Sequence, residues 1–202
     1  MTRRRVRLGV VKMWSQRALL AAQFSLCRPA AADIARNVLP GSPDGWPQGS
    51  DLGHSPIPDY CMNDVATSLK KCGARVAMSV MKSWANAWTT SSRMHEAICL
   101  PCILGCDDCT DSLNHYVICD PLWSIVISCS SNQCEHLRCG PFSKLGLEAS
   151  PMIWWRMLSI AFSCYHAIVV GHRDEVLSCA ASGHPQKLLD RLIGYAQVFS
   201  PG

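Results

Sequence analysis

Four residues in one short window have the types and the spacing to close around a metal ion. Cys102, Cys106, His115 and Cys119 form the pattern C-x3-C-x8-H-x3-C. Two thiolates on a tight turn, then a His and a Cys one helical turn apart, can place three sulfurs and one imidazole nitrogen at the corners of a tetrahedron. Zn²⁺ accepts such a set at about 2.0–2.3 Å. Eight of the thirteen cysteines fall between Cys99 and Cys139, so rival registers exist. Cys99-x2-Cys102-x12-His115-x3-Cys119 has the ligand spacing of a ββα finger. The small apolar core of such a finger would fall on Cys106 and Ser112, which cannot supply it. Cys106-x2-Cys109 is a third pair and leaves only five residues before His115. Replacement of a ligand by Cys99 or Cys109 therefore stays open. Cys129, Cys134, His136 and Cys139 make a further set whose one-residue gap strains a single tetrahedral site, and a second metal there also stays open. The plain alternative treats all these thiols as small buried hydrophobes.

Catalytic patterns fail on spacing. A zinc deaminase needs H-x-E well before P-C-x-x-C; here His95 and Glu96 are adjacent, and Pro101-Cys102-x3-Cys106 follows almost at once. His172-Arg173-Asp174 is not followed by the Asn that a kinase loop requires, and neither a phosphate-binding G-x-x-x-x-G-K-[ST] loop nor a G-x-S-x-G elbow occurs. A centre with four protein ligands keeps no position for a catalytic water. The expectation is a binding module and not an enzyme, with no small-molecule substrate.

The elements that must hold this window are helical. Apolar residues make up 49% of the 202-residue chain and charged ones 17%, enough for one buried core under a sparsely charged surface. Residues 1–39 read as a basic arm, with Arg3, Arg4, Arg5, Arg7, Lys12, Arg17 and Arg28 all preceding the first acid, Asp33. Such a start resembles an organelle transit peptide, and it also suits a phosphate-contacting arm or a solvated tail. Residues 40–60 are a Pro/Gly-rich linker that cannot hold a helix or a ladder strand. Residues 61–200 are expected to form a helical domain that carries the knuckle at 99–123.

Within that domain Asn63 or Asp64 can cap a helix reaching Lys71, which Gly73 breaks. A second helix is predicted from Ala74 to Trp88. Ala77, Val80, Met81, Trp84, Ala85 and Trp88 share its apolar arc, and Arg75, Ser79, Lys82 and Asn86 the polar one. Pro151 opens a third, mostly buried helix to about Val170, whose polar stripe is Arg156, Ser159, Ser163 and His166. That run is about long enough to cross a bilayer, but Arg156 and His166 make a span costly, so no membrane is expected. Pro185 opens a last helix to about Phe199, with Leu188, Leu189, Leu192, Ile193, Ala196 and Phe199 on one face.

The residues around the knuckle carry a family resemblance. Trp84-x-Asn86-Ala87-Trp88 through His95, Leu100-Pro101-Cys102-x2-Gly105-Cys106, Asp111-Ser112-Leu113-x-His115-Tyr116-x2-Cys119 and Leu122-Trp123 resemble the zinc-binding region downstream of the reverse transcriptase domain in non-LTR retroelements. Leu145-Gly146-Leu147 and Tyr165-His166-Ala167 extend the likeness, which covers roughly half the chain, Leu69 to Ala167. The resemblance implies Cys102, Cys106, His115 and Cys119 as ligands and gives no role to Cys99 or Cys109. The polymerase motif itself, an aromatic residue followed by x-Asp-Asp, is missing: the Asp107-Asp108 pair follows Gly105-Cys106 inside the knuckle.

Together these readings give a mainly α-helical protein around one zinc knuckle, with a disordered or irregular N-terminal part. The expected cofactor is Zn²⁺. The expected partner is nucleic acid, RNA or single-stranded DNA, met at phosphate by Lys70, Lys71, Arg75, Lys82 and Arg93. Between Met62 and Arg93 the only acid is Asp64, so the local field is positive. A structural or protein-interaction zinc module, or an unselected retroelement fragment without function, is the alternative. Metal-bound thiolates suit a reducing, intracellular setting, nuclear or cytoplasmic, with organelle targeting by the Arg-rich start still open.

Overall fold

The structure, a computed structural model, describes residues 71–94, 98–130, 140–147 and 151–200, together with Val65, Ser68 and Leu69. The expected basic arm, the linker, the Asn63/Asp64 cap, Lys70, and Cys134, His136 and Cys139 lie outside the described residues. The described part is mainly α-helical, with no strand among its residues. We number its helices α1 (Ala74–Trp84), α2 (Leu113–Ile118), α3 (Asp120–Cys129), α4 (Pro141–Lys144), α5 (Pro151–Gly171), α6 (Arg173–Ser182) and α7 (Gln186–Phe199).

Helix α5 is the axis of the fold, packing against α1, α3, α4, α6 and α7. Its sequence is apolar nearly all round, and Trp155, Met157, Leu158, Ala161, Cys164, Tyr165 and Ile168 are almost completely buried. Met152–Gly171 is long and apolar enough to cross a bilayer, yet 67% of its apolar window is already buried within the fold. Around it α1 contributes Val76, Val80 and Trp84, and α7 contributes Leu188, Leu192 and Ala196.

Two features of α1 differ from the sequence expectation. The helix stops at Trp84, four residues short of Trp88. Asn86 turns to φ 49°, and the Ala87 and Asn86 N–H groups bond back to the carbonyls of Lys82 and Ser83, at 2.6 and 3.1 Å. This is a Schellman end, with Asn serving where Gly is commoner because its short side chain tolerates the left-handed region. Trp88 is buried all the same, but from the segment beyond the helix. The second difference is that the polar arc is not all solvated: Ser79 is buried, as is Ser83 beside it. Each hydroxyl donates to the carbonyl four residues back, Ser79 to Arg75 and Ser83 to Ser79, so neither is left unpaired in the core. Ser79 also accepts from Ser159 of α5 at 3.1 Å, and Ser83 accepts the Trp88 indole N–H at 2.9 Å. The expected stripe on α5 is thus partly an α1–α5 contact.

Two tryptophans tie the turn after α4 to the core. Trp84 Nε1 donates to the Leu145 carbonyl at 2.8 Å, and Trp155 Nε1 donates to the Gly146 carbonyl at 3.1 Å. Each buried indole therefore fills space and satisfies a turn carbonyl at once.

Candidate metal centre

The knuckle begins as a short antiparallel pairing. Pro101 bridges Thr110, Cys102 N–H donates to the Cys109 carbonyl at 2.8 Å, and Asp111 N–H to the Leu100 carbonyl at 2.8 Å. At its tip Gly105 N–H returns to the Cys102 carbonyl at 3.1 Å, and Gly105 adopts φ 83°. This turn presents Cys102 and Cys106 on one side. Ser112 then caps α2, its hydroxyl accepting the His115 N–H at 3.3 Å, as a Ser at this position is suited to do.

His115 and Cys119 were expected on one helical face, and here the structure corrects the sequence. His115 lies on α2, whereas Cys119 is the joint between α2 and α3, with φ −58° and ψ 105°. Pro121, in the first turn of α3, explains the break. It has no N–H to continue the ladder, and its ring would clash with the carbonyl four residues back, that of Val117 in α2. The two helices restart around Cys119 and still deliver its sulfur to the same place as the His115 ring.

One ligand atom from each of Cys102, Cys106, His115 and Cys119 lies within 4.8 Å of every other. Cys119 Sγ is 4.0 Å from Cys102 Sγ and 3.7 Å from Cys106 Sγ. Sulfurs bound tetrahedrally at about 2.3 Å would stand about 3.8 Å apart, so these edges have the size that Zn²⁺ requires. His115 Nε2 is buried and has no hydrogen-bond partner, and the only other such side-chain atom among the described residues is Thr89 Oγ1. An orphaned imidazole nitrogen beside three sulfurs fits a fourth ligand, because leaving it unpaired in the core is otherwise costly. Neither Cys99, which is exposed, nor Cys109 belongs to the cluster.

The electrostatics of the three thiols are those of groups that cannot all ionise together. The Cys119 thiol lowers the pKa of Cys102 by donating to it, and the His115 ring and the N–H groups of Cys106 and Leu104 lower it further. The Leu104 N–H lies 3.4 Å from the Cys102 sulfur. Cys119 moves upward, mainly because of its bond to Cys102 and then through burial. Burial first, and then the Cys102 charge, pushes Cys106 up. A bound dication reverses this order, since a coordinated thiol loses its proton outright.

Beneath the cluster sits Asp111, named within the resemblance above but given no role there. It is 1% exposed. Its Oδ1 accepts the hydroxyls of Tyr116 at 2.8 Å and Tyr165 at 2.9 Å, and its Oδ2 accepts the Ser91 N–H at 2.6 Å. Tyr116 Oη in turn accepts the Ile103 N–H at 3.3 Å, next to Cys102. Burial, then the Asp111 charge, raises the Tyr116 pKa well above its usual range, so that hydroxyl stays a donor. Trp88 stacks on Tyr116 with centroids 5.9 Å apart and closes the network from above. Nothing in the local sequence marks this residue, because its partners at positions 91, 116 and 165 meet only in the fold.

Gly105 also fixes the knuckle against the C-terminal helices. A Cβ added there would lie 2.4 Å from Pro185 Cγ, the residue that caps α7. Gly105→Ala is therefore expected to destabilise the fold by roughly 2–5 kcal/mol, combining a left-handed residue with an overpacked contact. It should also weaken metal binding at least about tenfold, a difference of 1.4 kcal/mol, by displacing Cys106. Gly183→Ala is the control: its φ is 69°, but open space surrounds the new Cβ, so only the smaller backbone cost should appear. Denaturant midpoints and a competitive chelator titration measure both effects.

The phosphate-contacting candidates differ in what holds their side chains. Lys71 and Arg93 are exposed. Arg75 bonds the Phe199 carbonyl at 3.2 Å and lies over that residue's ring, and Lys82 Nζ stands 5.2 Å over the Phe162 ring.

No family model, curated protein or solved structure matches the chain.

Proposed function

We propose that this protein is a non-catalytic zinc module, in which Cys102, Cys106, His115 and Cys119 hold one Zn²⁺ as a structural staple. The convergence of these four side chains is the observation that supports it. Four protein ligands leave the metal no open position for water, so it serves the fold and not a reaction. The thiolates require a reducing, intracellular compartment to stay available. The module resembles the retroelement region described above and, in this reading, contacts RNA or single-stranded DNA through phosphate.

Lys71 and Arg93 carry that contact best, because they are exposed, whereas Arg75, also exposed, is bonded to the Phe199 carbonyl and Lys82 lies over the Phe162 ring. Affinity for a single-stranded oligonucleotide should fall steeply with salt, with a slope of about −0.7 per phosphate neutralised, and should hardly vary with base sequence. Lys71→Ala and Arg93→Ala should each flatten that slope by about 0.7 without changing the denaturant midpoint. Binding that is absent at low salt from a zinc-loaded protein would sink the nucleic-acid part. The protein-interaction reading would then stand.

A further inference from the structure

The three sulfurs differ in how they are held. Cys102 and Cys119 are 5% and 1% exposed, whereas Cys106 is half-buried. Cys102 is fixed by its N–H bond to Cys109 and by the Leu104 N–H on its sulfur. Cys119 is locked between two helices, its carbonyl accepting the Trp123 N–H at 3.1 Å. Cys106 rides on the tip of the turn, between two residues of positive φ, Gly105 at 83° and Asp108 at 54°. Its sulfur lies 3.7 Å from that of Cys119, and of the three cysteines Cys106 alone is not fully buried.

We infer that the centre is a peroxide-responsive one, in which Cys106 and Cys119 join as a disulfide and the zinc is released. This rests on the zinc reading above and adds a regulation to the same site. The Cys106 thiolate attacks hydrogen peroxide: a sulfur–oxygen bond forms, the oxygen–oxygen bond breaks, and the departing hydroxide takes a proton to become water. The Cys119 thiolate then attacks the sulfenic sulfur of Cys106. A sulfur–sulfur bond forms, the sulfur–oxygen bond breaks, and a second hydroxide is protonated to water. Two thiolates, one peroxide and two protons thus give one disulfide and two waters, and the zinc stays Zn²⁺ throughout. The sulfurs must close from 3.7 Å to about 2.05 Å, a move that falls to the turn carrying Cys106. Cys102 and His115 alone cannot retain a tetrahedral ion, so it leaves.

The test uses the purified full chain, first analysed for zinc and then treated with hydrogen peroxide in the presence of a chromogenic chelator, with the disulfide mapped by peptide mass spectrometry. One zinc released per Cys106–Cys119 disulfide, and uptake restored after a thiol reductant, is the expected result. A Cys99→Ser/Cys109→Ser double variant should release zinc at the parent rate, within about twofold, because those thiols lie outside the cluster. Zinc retained under peroxide, release with a disulfide between any other pair, or release lost in the double variant would each overturn the inference while leaving the zinc reading intact. A chain that carries no zinc at the outset and takes up none when reduced would overturn both.

Discussion

Cys119→Ala is expected to abolish zinc binding and to remove most of the stability of the knuckle, matching the effect of a strong chelator on the parent protein. Losing one buried sulfur-sized group would by itself cost about 1 kcal/mol. Losing a structural zinc is on another scale, since apparent binding energies at such sites are about 10–16 kcal/mol and are folding energy. A whole domain is typically stable by only about 5–15 kcal/mol, so the metal term decides the outcome. Cys119 is also the joint from which α2 and α3 diverge, and it is 1% exposed. Freed of the metal, α2, α3 and the turn at Gly105 lose their common anchor. Thermal unfolding followed by tryptophan fluorescence suits the test, because Trp88 and Trp123 pack on this region. Cys109→Ala should keep both the zinc and the transition. A Cys119→Ala protein that unfolds like the parent would leave the cysteines as ordinary buried side chains.

Asp111→Ala should be nearly as damaging although Asp111 lies outside the Cys/His cluster. Removing the carboxylate strands the Tyr116 hydroxyl proton and the Ser91 N–H in the core, whereas the Tyr165 hydroxyl keeps the Thr89 carbonyl at 3.4 Å. Each buried group left unsatisfied costs about 1–3 kcal/mol, so a total of roughly 2–6 kcal/mol is expected from the two. Tyr116→Phe removes one of those donors together with the acceptor of the Ile103 N–H, and should cost less, about 1–3 kcal/mol. Urea midpoints of the zinc-loaded proteins measure both. An Asp111→Ala midpoint within experimental scatter of the parent would mean that the carboxylate is not the hub its geometry describes.

The convergence of Cys102, Cys106, His115 and Cys119 was legible because coordination chemistry restricts both residue type and spacing, and those restrictions survive in one dimension. Helices α5 and α7 were legible from their opening prolines and apolar periodicity. Three things were not. The end of α1 at Trp84 depends on Asn86 accepting a left-handed turn, which no local pattern demands. The place of Cys119 outside α2 escaped because its spacing from His115 equals one helical turn, while Pro121 prevents that helix from running on. Asp111 is a tertiary feature: a buried charge is defined by partners far apart along the chain, and on sequence alone it looks like one more acid in a loop.

The zinc-edge X-ray absorption spectrum of the purified full chain is the most direct test of the metal centre. A shell of three sulfurs at about 2.3 Å and one nitrogen at about 2.0–2.1 Å, at one zinc per chain, is the expected result. A shell of four sulfurs would mean that another cysteine displaces His115, and a shell of oxygen and nitrogen, or no zinc at all, would contradict the Cys102–Cys106–His115–Cys119 centre outright.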